Sequence, residues 1–179
     1  MGDRKPAGGP TQDEIMAISL FKLGLSPQDC LLDLGCGTGK VSIAAAPLVK
    51  QVYAVDRRKE AIRYAKEQTE AAGITNIEFV CREAMDFLAA DRTFDCAFIG
   101  GSRGITEVLP RVAPKVRRTI VVNAVLVRTL SMVVETMQQL GIFREAIHVQ
   151  VSRSHGIGGS VMFKPIDPVY IIVGSGTAC

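Results

Sequence analysis

The chain has 179 residues, 47% hydrophobic and 22% charged, with a formal net charge of +3. That length suits one domain able to bury a single core in two or three layers, with no room for a second substrate-recognition domain, and the composition excludes wholesale disorder. The modest positive charge suits an anionic small substrate and is too weak and scattered to argue for nucleic acid by itself.

Met1 to Pro10 is polar, rich in Gly and Pro and without an apolar h-region, and Pro6 stands where myristoylation requires Ser or Thr. Thr11-Gln12-Asp13-Glu14 has the form of a capping box, with Thr11 as N-cap and Glu14 at N3. Ile15, Met16, Ile18, Leu20 and Leu23 then recur at helical spacing, and Gly24 to Asp29, with Pro27, ends that helix. Cys30 to Leu34 reads as the first strand, Lys40 to about Pro47 as a helix, and Gln51 to Asp56 as the second strand. Arg58 to Ala72 predicts a helix with Ala61, Ile62, Ala65 and Thr69 facing inward and Gly73 at its end. The alternation continues through strand Ile77 to Cys81, a short helix at Ala84 to Ala89, strand Phe94 to Ile99, a helix near Ile105 to Val112, strand Thr119 to Ala124 and helix Leu130 to Leu140.

After Gly141 the rhythm changes. Ile147, Val149 and Val151 alternate with His148, Gln150 and Ser152, the period of a half-exposed strand, and Val169 to Val173 is an apolar strand. Between them Arg153 to Pro168, with Gly156, Gly158 and Gly159, has no helical period; so long a connection in a compact domain is expected to serve a site. A substrate-facing flap is the reading taken, and a hairpin extension used in subunit contact is the alternative. The βα alternations with short loops predict an α/β fold, a doubly wound, mostly parallel seven-stranded sheet, Rossmann-like, and the last two strands add one antiparallel edge strand.

The five cysteines, Cys30, Cys36, Cys81, Cys96 and Cys179, form no C-x-x-C pair, and Cys30, Cys81 and Cys96 fall in apolar strand-like runs. They read as reduced core residues of a cytoplasmic protein. The longest apolar run, near Ile120 to Val127, is too short to span a bilayer, so no membrane partner is expected.

The most informative stretch is Leu31-Leu32-Asp33-Leu34-Gly35-Cys36-Gly37-Thr38-Gly39, in which a strand runs into alternating glycines. Without a Cβ, Gly35, Gly37 and Gly39 let the chain turn sharply and a ligand lie against bare backbone. Asp56, ending the next strand, can accept hydrogen bonds from two vicinal ribose hydroxyls; alternatively it caps the helix that follows. A dinucleotide fingerprint would place a third glycine at position 40, where this chain has Lys40. In these sheets ligands bind beyond the carboxyl ends of the strands, where the glycine loop, Asp56, Glu83-Ala84, Gly100-Gly101 and Asn123 project.

The G-x-G-x-G pattern after an Asp-bearing strand resembles motif I of the class I S-adenosylmethionine (SAM) dependent methyltransferases, which implies SAM as cofactor. Amino-group methylation usually accompanies an Asn/Asp-Pro-Pro-Tyr motif after strand four, where this chain has Ile99-Gly100-Gly101-Ser102. Cytosine carbon-5 chemistry needs a nucleophilic cysteine, and Cys96 lies inside an apolar strand; metal-dependent O-methylation wants an acid where Gly100 stands, so no metal is expected. What remains is attack by an already nucleophilic carbon, in which the enzyme mainly aligns the reactants.

Gly9-Pro10-Thr11, Asp33 to Gly39, Phe98-Ile99-Gly100-Gly101-Ser102, Val122-Asn123-Ala124-Val125, Val151-Ser152-Arg153-Ser154 and Asp167-Pro168-Val169 together resemble the decarboxylating precorrin methyltransferases of cobalamin biosynthesis, over nearly the whole chain. The resemblance implies methylation of carbon 15 of a corrinoid (tetrapyrrole) precursor, with loss of carbon dioxide from the acetate on carbon 12, by a homotetramer. It carries over SAM contacts to Thr11, Gly35, Cys36, Gly37, Thr38, Gly39, Asp56, Glu83 and Ala84. Two departures stand out: Arg82-Glu83-Ala84 replaces the usual Gly-Asp-Ala, and Asp167-Pro168-Val169 the usual Asn-Pro-Val.

A polycarboxylate substrate calls for basic residues near the mouth. Arg103, Arg128, Arg153, His155 and Lys164 are the candidates, with Gly101 beside them. His155 can deliver a proton after decarboxylation or be an exposed loop histidine, and Asn123 can orient substrate or cap the next helix. The sequence names no catalytic acid. Two rivals are an RNA methyltransferase of the adenine N1 type, which would want a basic groove, and a SAM-binding accessory subunit without catalysis.

Overall fold

The computed structural model describes residues 11–101 and 103–178. Gly9, Pro10, Ser102 and Cys179, each singled out in the sequence, lie outside the described residues. In chain order the elements are α1 (Asp13–Leu23), β1 (Cys30–Leu34), α2 (Lys40–Ala45), β2 (Gln51–Asp56), α3 (Lys59–Ala71), β3 (Ile77–Cys81), α4 (Ala84–Leu88), β4 (Phe94–Ile99), α5 (Ile105–Val112), β5 (Val116–Ala124), α6 (Val127–Gln139), β6 (Phe143–Val149), β7 (Ser152–Ile157), β8 (Ser160–Pro165) and β9 (Val169–Ser175).

Seven of these strands form one sheet in the order β3-β2-β1-β4-β5-β9-β6. β1, β2, β3, β4 and β5 pair in parallel, while β9 runs antiparallel to both β5 and β6. The strand order reverses between β1 and β4, which opens a crevice beyond their carboxyl ends. Successive residues of β1 serve opposite faces. Leu32 and Leu34 pack with Leu88, Val108, Leu109, Val133 and Met137 on the side of α4, α5 and α6, whereas Leu31 packs with Ile15, Leu23, Val41, Ala45 and Ile62 on the side of α1, α2 and α3. Strands covered on both faces read as near-continuous apolar runs, as β1, β4 and β5 do.

Four sequence expectations need correction. The antiparallel strand is not the edge: β9 fills the slot between β5 and β6, and β6 is the outer strand. The patterns carry this distinction, since Ile171, Ile172 and Val173 are all buried while the residues of β6 are partly or fully exposed. The segment after Arg153 is a hairpin, β7 paired with β8 from Ser152↔Pro165 to Ile157↔Ser160, exposed along both strands. Gly158 and Gly159, with φ of 53° and 79°, supply the turn, because a tight hairpin turn of this hand needs positive φ at both central residues. No capping box forms at α1: its N-cap is Gln12, without a side-chain cap bond. Glu14 is engaged instead by Arg153, which donates from Nε at 2.9 Å and Nη2 at 2.6 Å. Finally, Cys81 is exposed, because β3 is an edge strand.

Candidate active site

A cleft of about 670 Å³ opens at the carboxyl edge of the sheet. Its wall is built from the turns that follow β1, β2, β3 and β4, closed by Thr11 and the first turn of α5. That size and place suit a nucleoside-sized ligand.

The glycine turn is shaped by its neighbours. Gly35 and Cys36 both donate to the carbonyl of Val55, at 2.7 and 3.0 Å, so the turn is tied to β2. Gly35 has φ 79°, and a Cβ there would stand 3.0 Å from the Gly101 nitrogen, so the loops after β1 and β4 approach too closely for a side chain. Gly39 differs from the other two: it is not part of the cleft wall. A Cβ at Gly39 would stand 2.8 Å from Cβ of Ala65, so its role is to let α2 start against α3. Gly39, expected from the sequence among the cofactor contacts, thus has a packing role and lies outside the cleft lining.

Asp56 is 6% exposed and turned into the cleft wall. Its Oδ2 accepts from the Gly37 N–H at 3.0 Å and Arg58 Nη2 at 2.9 Å; its Oδ1 accepts from the Arg58 N–H at 2.9 Å and Arg58 Nε at 3.0 Å. Burial alone would raise this carboxyl, but the hydrogen bonds from Arg58 and Gly37 outweigh it and hold Asp56 below the usual carboxylate range, so it is ionised. Asp56 thus also steadies the start of α3, whose N-cap is Arg58, by bonding that residue's N–H.

Asp33, on the cleft floor, is 0% exposed and accepts from Ser42 Oγ at 2.5 Å. Beside it, burial above all, with the Asp33 and Asp56 carboxylates, pushes the Cys36 thiol far above its ordinary range. Cys36 lines the cleft as a small apolar group, and as a thiol it is no nucleophile.

Cations ring the cleft, though mostly not the predicted ones. Lys40 Nζ donates to the Thr11 carbonyl at 2.8 Å and pairs with Asp13 at 2.6 Å, holding the entry to α1 over the opening. Arg57 reaches Glu83 at 3.8 Å, and Arg82 and Arg103 also line the wall. Among the described residues neither Arg82 nor Arg103 forms an ion pair with a carboxylate.

Of the predicted residues, Thr11, Gly35, Cys36, Gly37, Thr38, Asp56, Glu83 and Ala84 line this cleft, joined by Gly101 and Arg103. Asn123, Arg128, Arg153, His155 and Lys164 do not. Asn123 spends its amide on Ser19, accepting at 3.2 Å and donating at 3.0 Å, so it neither caps α6 nor faces the cleft. Arg153 is committed to Glu14, and His155 and Lys164 stand on the exposed hairpin opposite Met162 and Arg153. Arg128 is exposed in the first turn of α6. Sequence reasoning missed Lys40, Arg57, Arg58, Arg82, Met85 and Glu107. The rule that strand ends carry the site covers Arg57, Arg58 and Arg82, which follow β2 and β3 directly.

A family profile, the precorrin methyltransferase domain, matches residues 6–174. The chain belongs to this precorrin methyltransferase family. A curated relative in Methanosarcina mazei, a probable cobalt-precorrin-6B C(15)-methyltransferase (decarboxylating), is 47% identical over 94% of each chain. Among solved structures, the precorrin-6y C5,15-methyltransferase of Geobacter metallireducens superposes with a TM-score of 0.89 at 29% identity, covering 96% of this chain and 94% of its own. The precorrin 8W decarboxylase of Methanobacterium thermoautotrophicum gives the same TM-score, 0.89, at 28% identity, covering 93% of this chain and 92% of its own. The fold is that of the class I methyltransferases, as the sequence predicted.

Proposed function

We propose that this chain is a decarboxylating C-methyltransferase that takes a methyl group from SAM and places it on carbon 15 of cobalt-precorrin-6B, or precorrin-6B, while the acetate on carbon 12 loses carbon dioxide, in cobalamin biosynthesis. The observation that carries this reading is the 47% identity over 94% of the chain to a relative of that description, joined to a cleft in which a bare glycine turn faces a buried, ionised carboxylate.

The residues present fit SAM. A Cβ at Gly35 would crowd Gly101, so the turn is a bare surface, and Asp56 offers charged acceptors for two sugar hydroxyls. Thr11, Cys36, Gly37, Thr38, Glu83 and Ala84 complete the wall around it. Bound SAM supplies an electrophilic methyl group on a sulfonium. The chain's own contribution is to bind, align and exclude water, since the substrate carbon is already electron-rich. Arg57, Arg82 and Arg103, which line the cleft, are the proposed partners for the carboxylates of the tetrapyrrole.

The chain acts as one methyltransferase domain over residues 1–179, supported by a single continuous seven-stranded sheet. It works as a homo-oligomer, a tetramer, in the cytoplasm. The exposed apolar side chains Ile157, Val161 and Phe163 on the hairpin support assembly, and no helix among the described residues is long and apolar enough to cross a membrane.

Incubation of the purified protein with SAM and a pool of corrin-pathway intermediates tests the proposal by mass spectrometry. A product that gains a methyl group and loses carbon dioxide is expected; methyl transfer to RNA alone, or no turnover, overturns it.

A further inference from the structure

We propose that Arg58 is a built-in competitor for the sugar hydroxyls, a latch that must release Asp56 before adenosine can bind and that closes again to help product leave. This rests on the reading of Asp56 as the sugar-binding acid.

A carboxylate offers about four lone-pair sites, and in this structure each oxygen of Asp56 accepts twice. Two of the donors are backbone N–H groups, from Gly37 and Arg58, fixed by the glycine turn and the start of α3. The other two are Nε and Nη2 of the Arg58 guanidinium, carried on a flexible stem with a side chain 36% exposed. A diol that donates two hydrogen bonds therefore displaces the guanidinium, the only one of these donors able to move without unravelling the loop.

The residue type makes the arrangement specific. Position 58 is the N-cap of α3, where Ser, Thr, Asp or Asn would accept a backbone N–H; arginine cannot, and no side-chain cap bond forms. What arginine adds is a planar fork that matches a carboxylate in two places. The fork also lies along the turn itself, since a Cβ on Gly37 would meet Arg58 Nη2 at 3.5 Å. Ligand and latch thus use the same two oxygens and the same bare backbone. Because S-adenosylhomocysteine carries the same sugar, the latch opposes product as well as donor and shortens the product's residence.

The test compares wild type with Arg58→Met, which keeps the stem, and Arg58→Ala, using calorimetry and stopped-flow kinetics with S-adenosylhomocysteine. Thermal melts check that each variant folds. Losing a charge-assisted competitor should tighten binding by about tenfold, through faster association, since no latch need open first, together with slower dissociation of product. The gain should vanish for an analogue without the sugar hydroxyls. Unchanged or weaker binding in both folded variants overturns the latch. Asp56→Ala separates the two levels: if it abolishes binding while the Arg58 variants show no gain, Asp56 keeps its role and only the latch falls. If Asp56→Ala binds like wild type, the sugar-binding reading fails and the latch with it.

Discussion

The hydroxyl of Ser42 donates to one oxygen of Asp33 at 2.5 Å, and the other oxygen, sealed from solvent, has no hydrogen-bond partner among the described residues. Burial, which the Ser42 bonds only partly offset and the nearby Asp56 charge reinforces, pushes the carboxyl from 3.8 up to about 7. Between those values the folded protein holds a proton that the unfolded chain has lost. Stability from this group is therefore full below 3.8, declines as pH rises, and is gone above about 7.

Asp33→Asn removes that ionisation while keeping an acceptor for Ser42. Its advantage over wild type should reach on the order of 4 kcal/mol at pH 8, as an upper bound, and shrink toward zero in acid. Urea melts across the pH range measure it; an offset that does not change with pH contradicts the assignment.

Gly39→Ala would force a side chain into φ 75° and bring its Cβ to 2.8 Å from Ala65. We expect a loss of roughly 2–4 kcal/mol from strain and overpacking together. Adding Ala65→Gly should restore the overpacking part only, leaving the backbone strain. A double-mutant cycle with no coupling would show that the helices do not meet at this pair.

Arg103 lines the cleft just beyond the double glycine after β4, where a substrate carboxylate can reach it. Arg103→Ala should raise KM for the corrinoid by about tenfold, the worth of one charge-assisted hydrogen bond, and leave SAM affinity unchanged. Steady-state kinetics with each substrate varied in turn would show it, and an effect on SAM alone would place Arg103 elsewhere.

The Glu14–Arg153 pair ties α1 to the hairpin on the surface. The Arg153 hydrogen bond, first among its causes, holds the Glu14 carboxyl at about 2, so the pair is complete above 4.5 and is lost only as pH falls toward about 2. Arg153→Ala should speed amide exchange in β7 and β8 at neutral pH without altering SAM affinity. Wild-type exchange rates in that variant would show that the hairpin is held by other contacts.

The parts of the fold with strong periodicity were legible in the sequence. β1, β2, β3 and β4 fall where the apolar runs place them, and Ala61, Ile62, Ala65 and Thr69 form the buried stripe of α3. Side-chain pairings made across long sequence separations were not legible. Thr11 and Glu14 carry the spacing of a capping box, yet Glu14 is claimed by a residue of the hairpin, and Asn123 by Ser19. Most of the cleft lining at the strand ends could be read because strand ends and glycines are local signals. The cations of the cleft wall could not: a basic residue reads alike on a hairpin or a cleft wall, and only the folded order of strands puts Arg82 on the wall and Arg153 on the hairpin.

A crystal structure of the protein with S-adenosylhomocysteine tests the central claim most directly. The account predicts adenosine lying across the turn from Gly35 to Gly37, with both sugar hydroxyls within hydrogen-bond distance of the Asp56 carboxylate. Nucleoside bound away from that turn, or a sugar that leaves Asp56 untouched, would contradict it.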